Sequence, residues 1–321
     1  MTDVSWQPVA GIEVARARSA MLRRAREFFE SRDVLEVDTP ILCRYAVTDP
    51  HIESLSARSS LRSPLFLQTS PEYRMKRLLA AGFGDIFQVA KVFRDGESGR
   101  RHLPEFTLVE WYRVDYGLRQ IMDETIEFIA TALQRSDLGS GAGFFTYAEA
   151  FGRVANLDPH TASVQQLADC LGADDELRNA LANDRDAWLD LLLAERIVPD
   201  FAEDRLTVLH HYPKSQAALA RLSTNDANCA ERFEVFYGNV ELANGFVELI
   251  DADEQLARFQ SDRNSRREKH LPVHDIDENL INALRAGVPP CAGVAVGFDR
   301  LLMLEQGETD IASISHFPEF D

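Results

Sequence analysis

This chain of 321 residues lacks the marks of several protein classes. Its four cysteines, Cys43, Cys170, Cys229 and Cys291, are scattered, with no CxxC pair and no His/Cys metal spacing. That excludes a disulfide scaffold or zinc-finger framework and fits a reducing compartment. There is no long apolar run, and the first residues, MTDVSWQPVAGIEVARARSAM, contain no apolar signal core. Neither a membrane span nor a secretory leader is therefore expected, and the expected location is cytoplasmic. Basic residues are in deficit. The 34 Lys and Arg against 52 Asp and Glu give a formal net charge of −18. Such a surface repels phosphate backbones and disfavours broad nucleic-acid binding, although a local basic patch could still dock RNA. Repeats and low-complexity segments are absent too, which excludes solenoids and linker-like chains.

What is present reads as a globular protein, with 45% hydrophobic residues. Periodicity predicts an amphipathic helix over Ile12–Arg32, with Met21, Leu22, Ala25, Phe28 and Phe29 on its apolar side. A strand-like run, Val34–Leu42, ends near Pro40. Phe66–Ser70 reads as a short strand, and Pro71–Ala81 as a helix with proline in its first turn. Gly84–Arg113 reads as a hairpin and Leu118–Leu133 as a helix. Ser136–Gly143 is expected to be a loop and an internal boundary. Tyr147–Asp204 is mostly helical and carries no chemical signature. Leu206–His211 opens a second strand set, followed by a hairpin over Phe233–Ile250, a charged helix over Gln255–Lys269, and a strand running into a helix over Val294–Gln306. Strands joined mostly by hairpins predict an α+β fold, an antiparallel sheet flanked by helices. The expected organisation is a single domain over residues 1–321 with a helical insertion at about 147–204.

The chemistry concentrates in the first hairpin. Side chains alternate along a strand, so Phe106, Leu108, Glu110 and Tyr112 share one face. That face offers an aromatic plate, a carboxylate and a phenol, and the strand end offers Arg94. The set suits a nucleotide and a cationic small molecule; the strand pattern alone fits an ordinary half-buried hairpin equally well. Taken singly, Phe106 could be core, Tyr112 could bridge two strands, and Glu110 could pair with Arg113 or Arg74.

In the second hairpin, Gly238-Asn239 is expected to form a two-residue turn with Tyr237 opposite Val240. Glu234 and Glu241 then fall on one face, able to share a hard cation such as Mg²⁺. Two solvated acids on an exposed face is the competing reading. Glu248 has the opposite parity, so a bulge is expected at or near Gly245 to turn Asn244, Phe246 and Glu248 toward Glu241. In the last strand, Gly293 and Gly297 permit close approach of a ligand, and Arg300 begins a helix whose N-terminus favours anions. The run Arg263-Asn-Ser-Arg-Arg267-Glu-Lys-His270 reads as a solvated helix face. A sharper alternative makes it a docking strip for an acidic protein.

These stretches resemble a family. The helix–strand–proline segment ending in Val37-Asp-Thr-Pro40, the hairpin Phe93-Arg94…Arg101-His102-x-x-Glu105-Phe106, and Gly297-Phe-Asp-Arg300-Leu are similar, in order, to the signatures of class II aminoacyl-tRNA synthetases. Ser70-Pro71-Glu72 and Glu241-Leu-Ala-Asn-Gly-Phe246-x-Glu248 resemble the lysine-binding stretches of the lysyl branch. No anticodon-binding barrel is expected before the catalytic part. Ser70, and Ala295 where the synthetases have glycine, resemble the stand-alone ligases that attach (R)-β-lysine to elongation factor P. The resemblance implies ATP and Mg²⁺ as cofactors, elongation factor P and lysine or (R)-β-lysine as partners, no tRNA, no membrane, and a homodimer.

It also implies residue roles. Arg94 would hold the α-phosphate and the substrate carboxylate, and Arg300 the γ-phosphate. Asp95, Gly96, Glu97, His102, Leu103, Phe106, Leu242 and Gly297 would line the ATP site. Phe106 would stack on adenine, with Arg300 near its other face. Glu234 and Glu241 would hold Mg²⁺. Glu110, Tyr112 and Glu248 would receive the side-chain ammonium, with Glu72 and Asn244 near the other amine and Ser70, Pro71, Phe246 and Ala295 lining that pocket. Two positions depart from the family. Asp95-Gly96 replaces Asn-Glu, with Glu97 available for the missing carboxylate's contact, and Leu103 replaces Asn; both put nucleotide-binding details in question. His102 reads as a hydrogen-bonding loop residue rather than a base. Three rivals stay open: a free-standing lysyl-tRNA synthetase-like enzyme, a non-enzymatic regulatory paralogue, and an ammonia-dependent amide synthetase, which the acids Glu110 and Glu248 disfavour.

Overall fold

A computed structural model describes residues 6–60 and 64–318. Eleven named strands among them are β1 (Leu35–Glu36), β2 (Leu42–Cys43), β3 (Ser56–Ala57), β4 (Leu65–Leu67), β5 (Ile86–Phe93), β6 (Glu105–Val114), β7 (Gly143–Thr146), β8 (Leu206–Pro213), β9 (Cys229–Tyr237), β10 (Val240–Val247) and β11 (Cys291–Gly297). The fold is α+β, mainly antiparallel strands flanked by helices. The chain divides into two compact units. One comprises Met1–Tyr116, Glu127–Arg135 and Ile250–Asp321; the other comprises Gly117–Ile126 and Ser136–Leu249.

In the first unit the strand order is β1-β5-β6-β11, with β1 parallel to β5 and the others antiparallel. The helix Ile12–Glu30 covers one face of these strands because its apolar stripe is aromatic where it meets them. Phe29 stacks on Phe87 with centroids 4.3 Å apart, and touches Trp111 and Phe128 at 5.1 and 5.3 Å. Each ring pair adds about 0.5–1.5 kcal/mol to the burial of its apolar area. The residues of opposite parity are thereby left on the other face. Pairing of Gln88 with Glu110, of Ile86 with Tyr112 and of Val92 with Phe106 puts the predicted set together there. Ala295 pairs with Glu110 from the other side.

The run Val34–Leu42 is not one strand. Pairing covers Leu35–Glu36, with Val37 N–H bonding the Phe87 carbonyl, and then stops. Pro40 has no N–H for a ladder, and the chain leaves to pair Leu42–Cys43 with β4 in a three-stranded sheet ordered β2-β4-β3. The loop expected at Ser136–Gly143 instead contains a short helix, Ser136–Ser140.

In the second unit the order is β10-β9-β8-β7, with β7 parallel to β8. The helices between β7 and β8 bury Phe151, Leu167, Trp188 and Leu192 in their own core. The hairpin turn is as expected: Tyr237 pairs with Val240 and Gly238 takes φ 53°, where glycine carries no Cβ penalty. The bulge lies earlier than Gly245. The register shifts between Glu241 and Ala243, so Asn244 pairs with Glu234 and Phe246 with Arg232. The inserted residue still has the expected effect: by parity Glu234, Asn244, Phe246 and Glu248 share a face, and Glu241 precedes the irregularity opposite Phe236.

Among the described residues no helix is long and apolar enough to cross a membrane. The four cysteines are free.

Candidate active site

In the first unit, Glu110 is buried and accepts from the Tyr112 hydroxyl at 2.7 Å. Arg113 has the opposite parity and pairs with Asp85 at 3.0 Å, and Arg74 donates to Cys43 and to the Leu42 carbonyl. Arg94, at the end of β5, lies 5.1 Å over the Phe106 ring and pairs with Glu97 at 3.3 Å. Glu97 thus contacts Arg94 directly. Asp95 donates its N–H to the Glu53 carbonyl at 2.9 Å. Gly96 takes φ 77°, which explains glycine at that departure from the family: a side chain there would be strained. Leu103 is half-buried in the returning limb of the loop.

Arg300 occupies the first turn of the helix Phe298–Glu305, which Gly297 begins. Its Nη2 lies 2.7 Å from His102 Nε2, and its Nε donates to the Arg101 carbonyl at 3.3 Å. His102 is therefore a hydrogen-bonding loop residue. The preceding residue is fixed in turn: Asp299 accepts from Arg18 at 2.5 Å and from the Thr107 N–H at 2.6 Å. Burial, and then the charges of Arg300 and Arg100, hold the Arg101 guanidinium below its ordinary pKa. Cations crowded against one another in this way suit a polyanion. Sequence reasoning gave Arg100 and Arg101 no such role, although adjacent arginines beside His102 were a visible signal.

Ser70 accepts from the Glu72 N–H at 3.3 Å, and Pro71 precedes the helix Glu72–Ala80. Glu72 pairs at 2.8 Å with Lys76, whose side chain is almost wholly buried. Lys76 was also missed; the i, i+4 spacing of Glu72 and Lys76 was its signal.

In the second unit, the buried Glu234 accepts from Arg232 at 2.5 Å. Arg232 reaches Asn244 as well, at 3.4 Å, and the Gln216 carbonyl at 2.8 Å. Burial pushes the Glu234 carboxyl above the usual range; Arg232 pulls it down, and the charge of Glu241 pushes it up. The two acids therefore feel one another, and a shared cation would relieve the repulsion. Among the described residues no group of three His, Cys, Asp or Glu is arranged to hold a metal. Mg²⁺ fits a pair, since it takes one or two carboxylates and fills the rest of its shell with water and phosphate oxygens. Leu242 and Glu248 are buried, and Phe246 packs on Ala217, Ala220 and Ala230.

Comparison with known proteins decides the family. A model of tRNA synthetases class II (D, K and N) matches residues 11–321. The chain belongs to the class II tRNA synthetase family. A curated relative, elongation factor P–(R)-β-lysine ligase from Yersinia enterocolitica serotype O:8, is 44% identical over 321 residues, 98% of this chain and 97% of that protein. Family membership gives the ordered face of β5, β6 and β11 a chemical context.

Proposed function

We propose that this class II protein uses ATP to activate lysine or (R)-β-lysine and joins the product to a lysine side chain of elongation factor P. The observation that carries the reading is the buried Glu110–Tyr112 pair on the strand face shared with Phe106, with Arg94 at the strand's end. Full-length similarity to a ligase of that name supports it.

In the first step the substrate carboxylate attacks the α-phosphorus of ATP; an acyl–phosphate bond forms and pyrophosphate leaves. Arg94 holds the α-phosphate and the attacking carboxylate, countering charge that builds in the transition state. Arg300 grips the γ-phosphate by its guanidinium fork. Phe106 stacks on adenine. Glu234 and Glu241 would hold Mg²⁺, which would supply charge neutralisation and orientation of the triphosphate. Glu110 and Tyr112 receive the side-chain ammonium, while Glu72 serves the second amine. In the second step the partner's lysine amine attacks the acyl carbon, an amide forms, and AMP leaves. No enzyme nucleophile is required; positioning and electrostatics do the work.

ATP–pyrophosphate exchange with a panel of lysine isomers tests the activation step. Exchange with a diamine supports it, and none with any isomer rejects it in favour of a non-enzymatic role. The family match also covers tRNA-charging enzymes, so the acceptor is tested by offering tRNA and elongation factor P in parallel. The reading places the protein in the cytoplasm as a homodimer. Exposed Leu35, Ile41 and Leu42 along the helix–strand–proline segment support a dimer, which light scattering would measure.

A further inference from the structure

The basic run at the end of the helix Ala252–Glu268 contains one residue that no solvated helix face would have. Arg266 is fully buried. Its guanidinium donates to the carbonyls of Pro272 at 2.5 Å, Asp49 at 2.7 Å and Ile52 at 3.3 Å. It pairs with the Glu53 carboxylate and lies 3.3 Å from His274 Nε2, which is itself 3.1 Å from Glu53. One turn earlier, Asp262 accepts from the Thr48 hydroxyl at 3.0 Å. The helix thus grips residues 48–53 at two points. This overturns the docking strip as first drawn, because Arg266 is not available to a partner.

The gripped segment has a second engagement. The Glu53 carbonyl accepts the N–H of Asp95 at 2.9 Å, and the Arg94 N–H bonds the Pro104 carbonyl at 2.9 Å. Both limbs of the loop at the end of β5 are therefore tied where Arg94 emerges. A buried charge is costly unless its donors are satisfied, and here they are satisfied by a segment that leads directly to Arg94.

We propose that Arg266 is a positioning residue for amino-acid activation. It fixes residues 48–53, and through the Glu53–Asp95 backbone bond it fixes the point from which the Arg94 guanidinium reaches the α-phosphate. It touches no substrate itself. The inference rests on the activation reading above. A displacement of about 1 Å at a reacting group can lower a rate roughly 100-fold, so a distant clamp has leverage on kcat.

The experiment compares Glu53→Gln and Arg266→Lys with wild type, using Arg267→Ala, an exposed neighbour, as control. Glu53→Gln keeps the shape and removes the charge pair, so it remains informative if the Arg266 variant does not fold. In ATP–pyrophosphate exchange, both folded variants are expected to lose about tenfold or more in kcat, with KM for lysine within about twofold of wild type. Unchanged kcat, or a rise in both substrate KM values matched by a lower melting temperature, overturns the proposal. Amide hydrogen exchange without substrate supplies an arm independent of activity. Residues 94–97 are expected to exchange faster in Glu53→Gln, and unchanged protection there overturns the link. Failure of wild type to exchange with any lysine isomer would reject the activation reading, and the hydrogen-exchange arm would still decide whether Glu53 holds that loop.

Discussion

Replacing Glu110 by Gln separates a substrate-binding carboxylate from a structural one. Glu110 is buried on the inner face of β6, where its carboxylate accepts from Tyr112 at 2.7 Å. Gln has nearly the same shape and still offers an oxygen to that hydroxyl. The change removes one buried negative charge and little else. If that charge receives the substrate's side-chain ammonium, its loss leaves the cation desolvated without a partner. Breaking such a pair costs on the order of 2–5 kcal/mol. Taking about 2–4 kcal/mol for the isosteric change, kcat/KM for lysine falls roughly 30- to 700-fold, at tenfold per 1.4 kcal/mol. Stability should not fall with it, because the folded protein no longer buries a charge. The assay is exchange kinetics with lysine and with norleucine, which lacks the side-chain amine, alongside denaturant unfolding. The expected result is a large loss for lysine, a much smaller one for norleucine, and a folding free energy within about 1 kcal/mol of wild type. Equal losses for the two substrates, or destabilisation matching the lost activity, would refute the assignment of Glu110 to the ammonium.

Other expectations follow from the same structure. Phe29→Ala empties the ring position between Phe87, Trp111 and Phe128 and should cost about 3–5 kcal/mol in denaturant unfolding. Glu241→Gln should raise the Mg²⁺ concentration needed for half-maximal exchange while leaving KM for lysine nearly unchanged, because it removes one of the two proposed cation ligands. His210 sits beside His211, Glu149 and Arg119, and burial first, then the charge of His211, lower its pKa from 6.5 to about 4. Between those values the unfolded chain binds the proton and the folded one does not. This contribution is therefore complete above pH 6.5 and lost as pH falls toward 4, by about 1–2 kcal/mol after allowing for its partial exposure. His210→Gln should flatten that part of the unfolding profile.

Local pattern made much of the site legible. Alternation along β6 was enough to place Phe106, Glu110 and Tyr112 together, because a strand covered on one face by aromatics must present the other parity opposite. Gly238-Asn239 fixed the second hairpin's register at its turn. Further along, the break expected at or near Gly245 falls between Glu241 and Ala243, since a glycine is the visible break and a bulge among ordinary residues leaves no mark in composition. Arg266 was misread for a related reason. Its acceptors Asp49, Ile52 and Glu53 lie more than 200 positions away, and helix periodicity carries no information about so distant a partner. Arg232, half-buried between Glu234, Asn244 and the Tyr212 ring, was missed in the same way, because a lone arginine in a strand resembles a surface residue until its partners are brought to it.

The central claim is that one protein joins an activated diamino acid to elongation factor P. The most direct test incubates the enzyme with ATP, Mg²⁺, (R)-β-lysine and purified elongation factor P, and reads the acceptor's intact mass. The account predicts a gain of one lysyl residue that requires ATP and disappears with Arg94→Ala. An unchanged mass in elongation factor P while tRNA in a parallel reaction becomes charged would contradict it.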